Sequence, residues 1–244
     1  NVLNKSGDSV ECSDGYFPWT VPGATLSTNV KLKIARLADP LNVPVSISQQ
    51  FAIIGLLSLD TPPQGAKWLV NDTNYIKWTR QGNIQNVSLF YATAGSNYTF
   101  IDYANGSMGA TGYPWQIPNI PGIVGPNATI KITDSSDPDT HNISFPFTII
   151  PKFVITAPQS EQKLLANRTE YILWNRYGQN PTVNLYYSKT DFVEGLGTPI
   201  AAGVNNTGNY SWTVPDDLNN TVKARVTYPA DESATNISAQ FRIV

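Results

Sequence analysis

Asn71-Asp-Thr-Asn-Tyr-Ile-Lys-Trp78 and Asn167-Arg-Thr-Glu-Tyr-Ile-Leu-Trp174 are one pattern written twice, 96 residues apart. In the first copy Thr73, Tyr75 and Lys77 share one face of an extended chain, while Asn74, Ile76 and Trp78 share the other. A period of two, rich in β-branched and aromatic residues and ending in tryptophan, predicts a strand that buries one face. Both copies open on an Asn-x-Thr sugar-acceptor motif, placing Asn71 and Asn167 at the exposed start of that strand.

The repeat reaches well beyond this strand. At the same shift Trp19 falls on Trp115, Phe51 on Phe147 and Ile54 on Ile150, and with one added residue Trp115 falls on Trp212. Arg80-Gln-Gly82 matches Arg176-Tyr-Gly178, and Val87-Ser-Leu-Phe-Tyr91 matches Val183-Asn-Leu-Tyr-Tyr187. The second half of the unit occurs three times, as GYFPWTVP at 15, GYPWQIP at 112 and GNYSWTVP at 208. Alternation dominates between clusters of Pro, Gly, Asn and Asp, and helical spacing is absent over any useful length.

A unit of about 96 residues with roughly seven short strands fits an immunoglobulin-like or fibronectin type III sandwich of ~100 residues. The expected fold is all-β, a tandem of Ig-like sandwiches with two complete units after a half unit. The boundaries expected are 1–55, 56–150 and 151–244. Residue 1 corresponds to about residue 97, so the first unit lacks about 40 opening residues and would expose an apolar face. Three explanations stay open: excision from a longer array, a separate nicked piece, or completion by a neighbouring chain. Trp78 and Trp174 are expected in the two cores, with Trp19, Trp115 and Trp212 pinning later strands; stacking on sugar rings is the alternative reading.

Composition limits function. The 244 residues are 41% hydrophobic and 14% charged, with a net charge of −2 and a pI near 5.3. With no polybasic run, nucleic acid is not an expected partner. The longest apolar runs, such as Phe51–Leu57, fall short of the ~20 residues a membrane helix requires, and the chain reads as a mature or excised segment. Cys12 is the single cysteine, which alone would suggest a reducing compartment. The sugar-acceptor motifs argue instead for a secreted protein of eukaryotic type. They are Asn4, Asn71, Asn86, Asn97, Asn105, Asn127, Asn142, Asn167, Asn205, Asn209, Asn219 and Asn236. With 23 Asn and 41 Ser plus Thr, chance supplies about four such motifs, not twelve. A loop composition rich in these residues is the competing explanation.

The unit also resembles a known family. Pro62, Trp68, Tyr75, Trp78, Val87, Leu89, Tyr91, Gly112, Tyr113, Trp115, Pro118 and Phe147 follow its pattern. Pro158, Leu164, Tyr171, Trp174, Val183, Leu185, Tyr187, Gly208, Tyr210, Trp212, Pro215 and Phe241 follow it again. The pattern resembles the Ser/Thr-rich, wall-associated domain of the fungal Kre9/Knh type, many members of which carry a lipid anchor. That resemblance implies an extracellular sandwich linked to cell-wall β-glucan assembly.

Catalysis is not expected. His141 and Cys12 build no triad or metal spacing, and no cofactor is expected beyond covalent N-linked glycans. Asp134-Ser-Ser-Asp137-Pro-Asp139 reads as a turn, or as a calcium loop between units. Cys12 reads as a buried or unpaired thiol, with an intermolecular disulfide as the alternative. Linkers of one or two residues predict a stiff rod. Two functions follow: a glycan-coated structural element that self-associates head to tail into a fibril, or a module binding wall polysaccharide through Tyr103, Tyr113 and Tyr177.

Overall fold

A computed structural model of the chain describes residues 15–21, 23, 26–35 and 46–244. Cys12 and Asn4 lie outside the described residues.

The first segment contributes β1 (Ser27–Val30), β2 (Lys33–Ile34), β3 (Ser46–Ile47) and β4 (Phe51–Ile53). The next set runs β5 (Leu56–Leu59), β6 (Lys67–Leu69), β7 (Thr73–Ile76), β8 (Trp78–Gln81) and β9 (Asn86–Ala92). It continues with β10 (Thr99–Asn105), β11 (Tyr113–Gln116), β12 (Gly125–Asp134), β13 (His141–Ile143) and β14 (Phe147–Ile150). The last set begins with β15 (Lys152–Ala157), β16 (Lys163–Leu164), β17 (Thr169–Tyr177) and β18 (Thr182–Ser188). It closes with β19 (Thr198–Asn205), β20 (Asn209–Thr213), β21 (Asn219–Tyr228), β22 (Asp231–Ile237) and β23 (Phe241–Ile243).

The strand order is that of an Ig-like sandwich, and it occurs twice. One sheet is ordered β10-β9-β12-β14-β6, and its counterpart is β19-β18-β21-β23-β16. All pairs in these two are antiparallel except β6 with β14 and β16 with β23. The facing sheet is β15-β17-β20 in the last sandwich; in the middle one it is split into the pairs β5-β8 and β7-β11. Each sandwich closes on its own core. Trp78, Leu89, Ile130 and Phe147 belong to one, and Trp174, Leu185, Val226 and Phe241 to the other.

The alternation that opened the sequence is realised. Ile76 and Trp78 are buried and Tyr75 and Lys77 exposed. Trp78 Nε1 donates to Gly106 O at 3.1 Å, and Trp174 Nε1 to Asn206 Oδ1 at 2.8 Å, so neither indole is left with an unpaired donor. Trp115 and Trp212 are also buried. Four of the five tryptophans named from the repeat therefore serve as core, whereas Trp19 is only half-buried.

Register aligns the three segments. Val30 pairs with Phe51 as Ala128 does with Phe147 and Val222 with Phe241. Leu32, Ile130 and Ala224 then occupy one position, and each donates its backbone N–H to a serine Oγ, from Ser48, Ser144 and Ser238. Each serine hydroxyl in turn donates to the next residue's carbonyl oxygen, at Gln49, Phe145 and Ala239. A serine thus replaces a ladder bond where the last strand shifts from one pairing to the next.

Contacts join the neighbouring units. Pro151 alone separates β14 from β15. Lys67 in β6 pairs with Asp231 at the start of β22, at 2.7 Å, and Lys152 pairs with Asp72. Asn119 Oδ1 accepts from Gly178 N at 2.8 Å, and Tyr177 packs against the middle core. Burial pushes the Asp231 carboxyl up, but hydrogen bonds from Lys67 and Ser233 outweigh it and hold the group below its usual range.

Candidate functional site

The sugar-acceptor asparagines fall into distinct local settings. Asn71, Asn127 and Asn167 have φ of 68°, 61° and 60°, the left-handed region that Asn tolerates better than other residues with a side chain. Asn105 and Asn219 cap turns: Oδ1 of each accepts the backbone N–H and the hydroxyl of its own motif, from Ser107 and Thr221. Asn142 Oδ1 accepts from Leu59 N, and Asn236 Oδ1 from Ile155 N, both at 2.9 Å. In those two motifs the serine is also structural, being the Ser144 or Ser238 described above. Asn209 Oδ1 accepts from Thr207 Oγ1, and Asn86, Asn97 and Asn205 are exposed. Among the described residues every one of these contacts uses Oδ1, leaving Nδ2, the atom an N-glycan occupies.

These roles separate by mutation in unglycosylated protein. Asn142→Ala is expected to cost about 1–2 kcal/mol by orphaning Leu59 N–H, whereas Asn97→Gln stays within about 0.5 kcal/mol. Equal effects in thermal unfolding would remove the bridging role of Asn142.

The edge where β10 faces β11 opens into a groove of about 480 Å³, lined by Tyr91, Phe100, Ile101, Tyr113, Trp115 and Gln116 among others. Beside it runs an aromatic strip. Phe90 and Phe100 stand 5.5 Å apart edge to face, and Phe100 and Tyr103 are 4.8 Å apart, with Phe100 and Tyr103 exposed. Asp102 ties the strip to the groove: Oδ1 accepts from Tyr103 N at 2.8 Å, and Oδ2 from the Tyr113 hydroxyl at 2.7 Å. Those two bonds hold the Asp102 carboxyl below its usual value.

Burial, then the hydrogen bond and charge of Asp102, push the Tyr113 hydroxyl up to about 12. The proton is kept in the folded state above the ordinary tyrosine value of ~10. Its contribution to stability is therefore whole below pH ~10 and decays as pH rises through 12. Ultraviolet titration is expected to show a tyrosine ionising near pH 12, lost in Tyr113→Phe and moved down in Asp102→Asn. A curve unchanged in Tyr113→Phe would overturn the assignment.

Comparison between the repeats separates this edge from the demands of the fold. Where the middle unit has Thr99-Phe-Ile-Asp-Tyr103, the last has Thr198-Pro-Ile-Ala-Ala202. Tyr91 against Trp115 is kept as Tyr187 against Trp212, at 5.2 and 5.6 Å. The last unit thus forms the same edge without counterparts of Phe100, Asp102 and Tyr103, and composition gave no hint of it. Of the three tyrosines expected in a groove only Tyr113 lines it; Tyr103 stands beside it against Phe100, and Tyr177 lies elsewhere. It sits at the joint between sandwiches, with Lys152 Nζ 5.9 Å over its ring. The acidic loop forms a turn: Asp134 Oδ1 accepts from Ser136 N, and Asp137 Oδ2 from the Thr140 hydroxyl. No helix among the described residues is long and apolar enough to cross a membrane.

No family model matches the chain, and no curated protein matches it. Among solved structures it is similar to the fibronectin(III)-like modules of Clostridium thermocellum CbhA, with 14% identity, a TM-score of 0.27 and coverage of 77% of this chain and 93% of that one. It is similar to extracellular domains 3–5 of Drosophila OTK at 11% identity and a TM-score of 0.26, covering 77% and 66%. Against the N-terminal four Ig domains of Dscam1 isoform 6.44 the identity is 10% and the TM-score 0.29; the match takes 82% of this chain and 51% of that one. The Ig-like assignment rests on the strand order itself.

Proposed function

We propose that this is a non-enzymatic, N-glycosylated extracellular protein, a rigid rod of tandem sandwiches that joins end to end into a glycan-coated fibril. The observation carrying this reading is the joint between the two complete sandwiches. A one-residue linker, two ion pairs, the Asn119–Gly178 hydrogen bond and the burial of Tyr177 across the boundary leave little freedom for hinge motion. Sugars at Asn71, Asn86, Asn97, Asn105, Asn127, Asn142, Asn167, Asn205, Asn209, Asn219 and Asn236 would shield lateral faces and strand edges, leaving the ends to associate. Glycopeptide mass spectrometry and electron microscopy of material secreted by its source test both parts. Occupied sites on fibres of constant axial repeat are expected; dispersed, unglycosylated rods would end the proposal.

The exposed Phe100 and Tyr103 beside the groove favour a second reading, a module that binds or assembles wall polysaccharide, in keeping with the Kre9/Knh resemblance. A β-glucan pull-down retained by the deglycosylated protein and lost in Phe100→Ala/Tyr103→Ala would favour it. No retention would remove it.

A further inference from the structure

The outer face of β10 carries an exposed apolar strip and, at its end, a sugar-acceptor asparagine. Register puts Phe100 opposite Phe90, Tyr103 opposite Ser88 and Asn105 opposite Asn86. Ala104 and Val87, which pair between the last two, are buried, so Tyr103 and Asn105 both point away from the core. Tyr103 is 66% exposed and Phe100 45%, and β10 is the edge strand of its sheet. Clustered aromatic rings on an outer face and an open strand edge are features that a folded protein normally shields.

Of the twelve acceptor asparagines, Asn105 alone has an aromatic residue two positions before it. Two residues of strand span about 6.5–7 Å, and both side chains leave the same face, so a sugar on one stands beside the ring of the other. The amide is also fixed in direction. Its Oδ1 accepts from Ser107 N at 2.9 Å and from Ser107 Oγ at 2.7 Å, which holds the group against rotation and leaves Nδ2 free. Asn86, an acceptor itself, faces Asn105 across the strand pair, where Cβ atoms stand about 4.5–5.5 Å apart. Two sugars rising side by side there compete for one space, and a course along β10 takes the Asn105 sugar out of it. The last sandwich supplies the contrast. Asn205 faces Thr182 as Asn105 faces Asn86, and Val204 faces Val183 as Ala104 faces Val87, but Gly203 stands two residues before Asn205.

We propose that the strip of Tyr103 and Phe100 is the seat of the chain's own N-glycan at Asn105, whose first N-acetylglucosamine lies against the Tyr103 ring and whose second extends toward Phe100. This rests on the N-glycosylated reading above and names what one of those glycans does. A pyranose presents C–H groups on its faces and hydroxyls around its rim, so it covers an aromatic ring while its polar groups stay in water. Sugar held in this way shields the β10 edge from pairing with another strand. The strip is closed to an outside polysaccharide while the sugar is in place.

The test compares four forms of the full chain secreted from eukaryotic cells: the parent, Asn105→Asp, Tyr103→Ala and the two changes together. Asp keeps an oxygen for the Ser107 bonds and takes no sugar, and the last unit builds the same edge without a tyrosine, so all four are expected to fold. Glycopeptide mass spectrometry reads occupancy at every site, and calorimetry reads the unfolding of the middle sandwich. Asn105→Asp is expected to lower that midpoint by about 4–8 °C more with Tyr103 in place than in the Tyr103→Ala background. Tyr103→Phe, which keeps the ring, is expected to restore the difference. Equal shifts in both backgrounds with Asn105 occupied would overturn the proposal and leave the N-glycosylated reading standing. A bare Asn105 among occupied neighbours would do the same. Bare asparagines throughout would end both.

Discussion

Trp78→Ala is expected to lower the stability of the middle sandwich by about 3–5 kcal/mol, a large part of the 5–15 kcal/mol that holds a domain folded. The indole is 1% exposed at the centre of the core, so its removal leaves a cavity between sheets that backbone pairing holds apart. It also orphans Gly106 O, which accepts from Nε1. The midpoint of that sandwich is expected to fall by about 15–30 °C in calorimetry, and that of the last sandwich by less, through the loss of its joint. Trp174→Ala should mirror this in the other unit and leave Asn206 Oδ1 without its donor. A change below about 1 kcal/mol would show that the indole is not the centre of the core.

Gly178→Val is expected to uncouple the two complete sandwiches without unfolding either. Gly178 has φ of +84°, where a β-branched residue is strained by roughly 1–2 kcal/mol. Its new Cβ would stand 2.7 Å from Val124 Cγ2, 3.1 Å from Val70 Cγ2 and 3.4 Å from Pro151 Cα. Val70 is fully buried and Pro151 is backbone, so relief comes by parting the units; the overlap adds about 1–3 kcal/mol. Calorimetry is expected to show two separated transitions, and X-ray scattering a broader distribution of intramolecular distances. Gly82→Val meets the flexible end of Leu26 instead and is expected to disturb its joint less. Unchanged scattering and coupled unfolding in Gly178→Val would mean that this contact does not set the joint.

Much of this architecture was legible because a sandwich strand writes itself locally. Alternation from Thr73 to Trp78 requires only that one side of each strand meet the core, and the three-fold recurrence of Tyr, Trp and Pro around 16, 113 and 210 counts the units. The candidate site was legible in part. Tyr103 and Tyr113 were picked out as aromatics, but the bond from the Tyr113 hydroxyl to Asp102 depends on two strands of different sheets meeting at an open edge. Tyr177 was grouped with them on residue type, and its place at the joint follows from how sandwiches stack.

The strand pattern, the period of the repeat and the tryptophans around which the cores close could be read from local order in the chain, since each depends on side chains a few positions apart. The duties of the asparagines, by contrast, follow from long-range closure. Leu59 lies 83 residues from Asn142, and Ile155 lies 81 from Asn236. A sugar-acceptor motif and a bridging Asn-x-Ser are written with the same letters. What adds the bridging duty is a backbone N–H on another strand, brought within 2.9 Å by the closure of the sandwich.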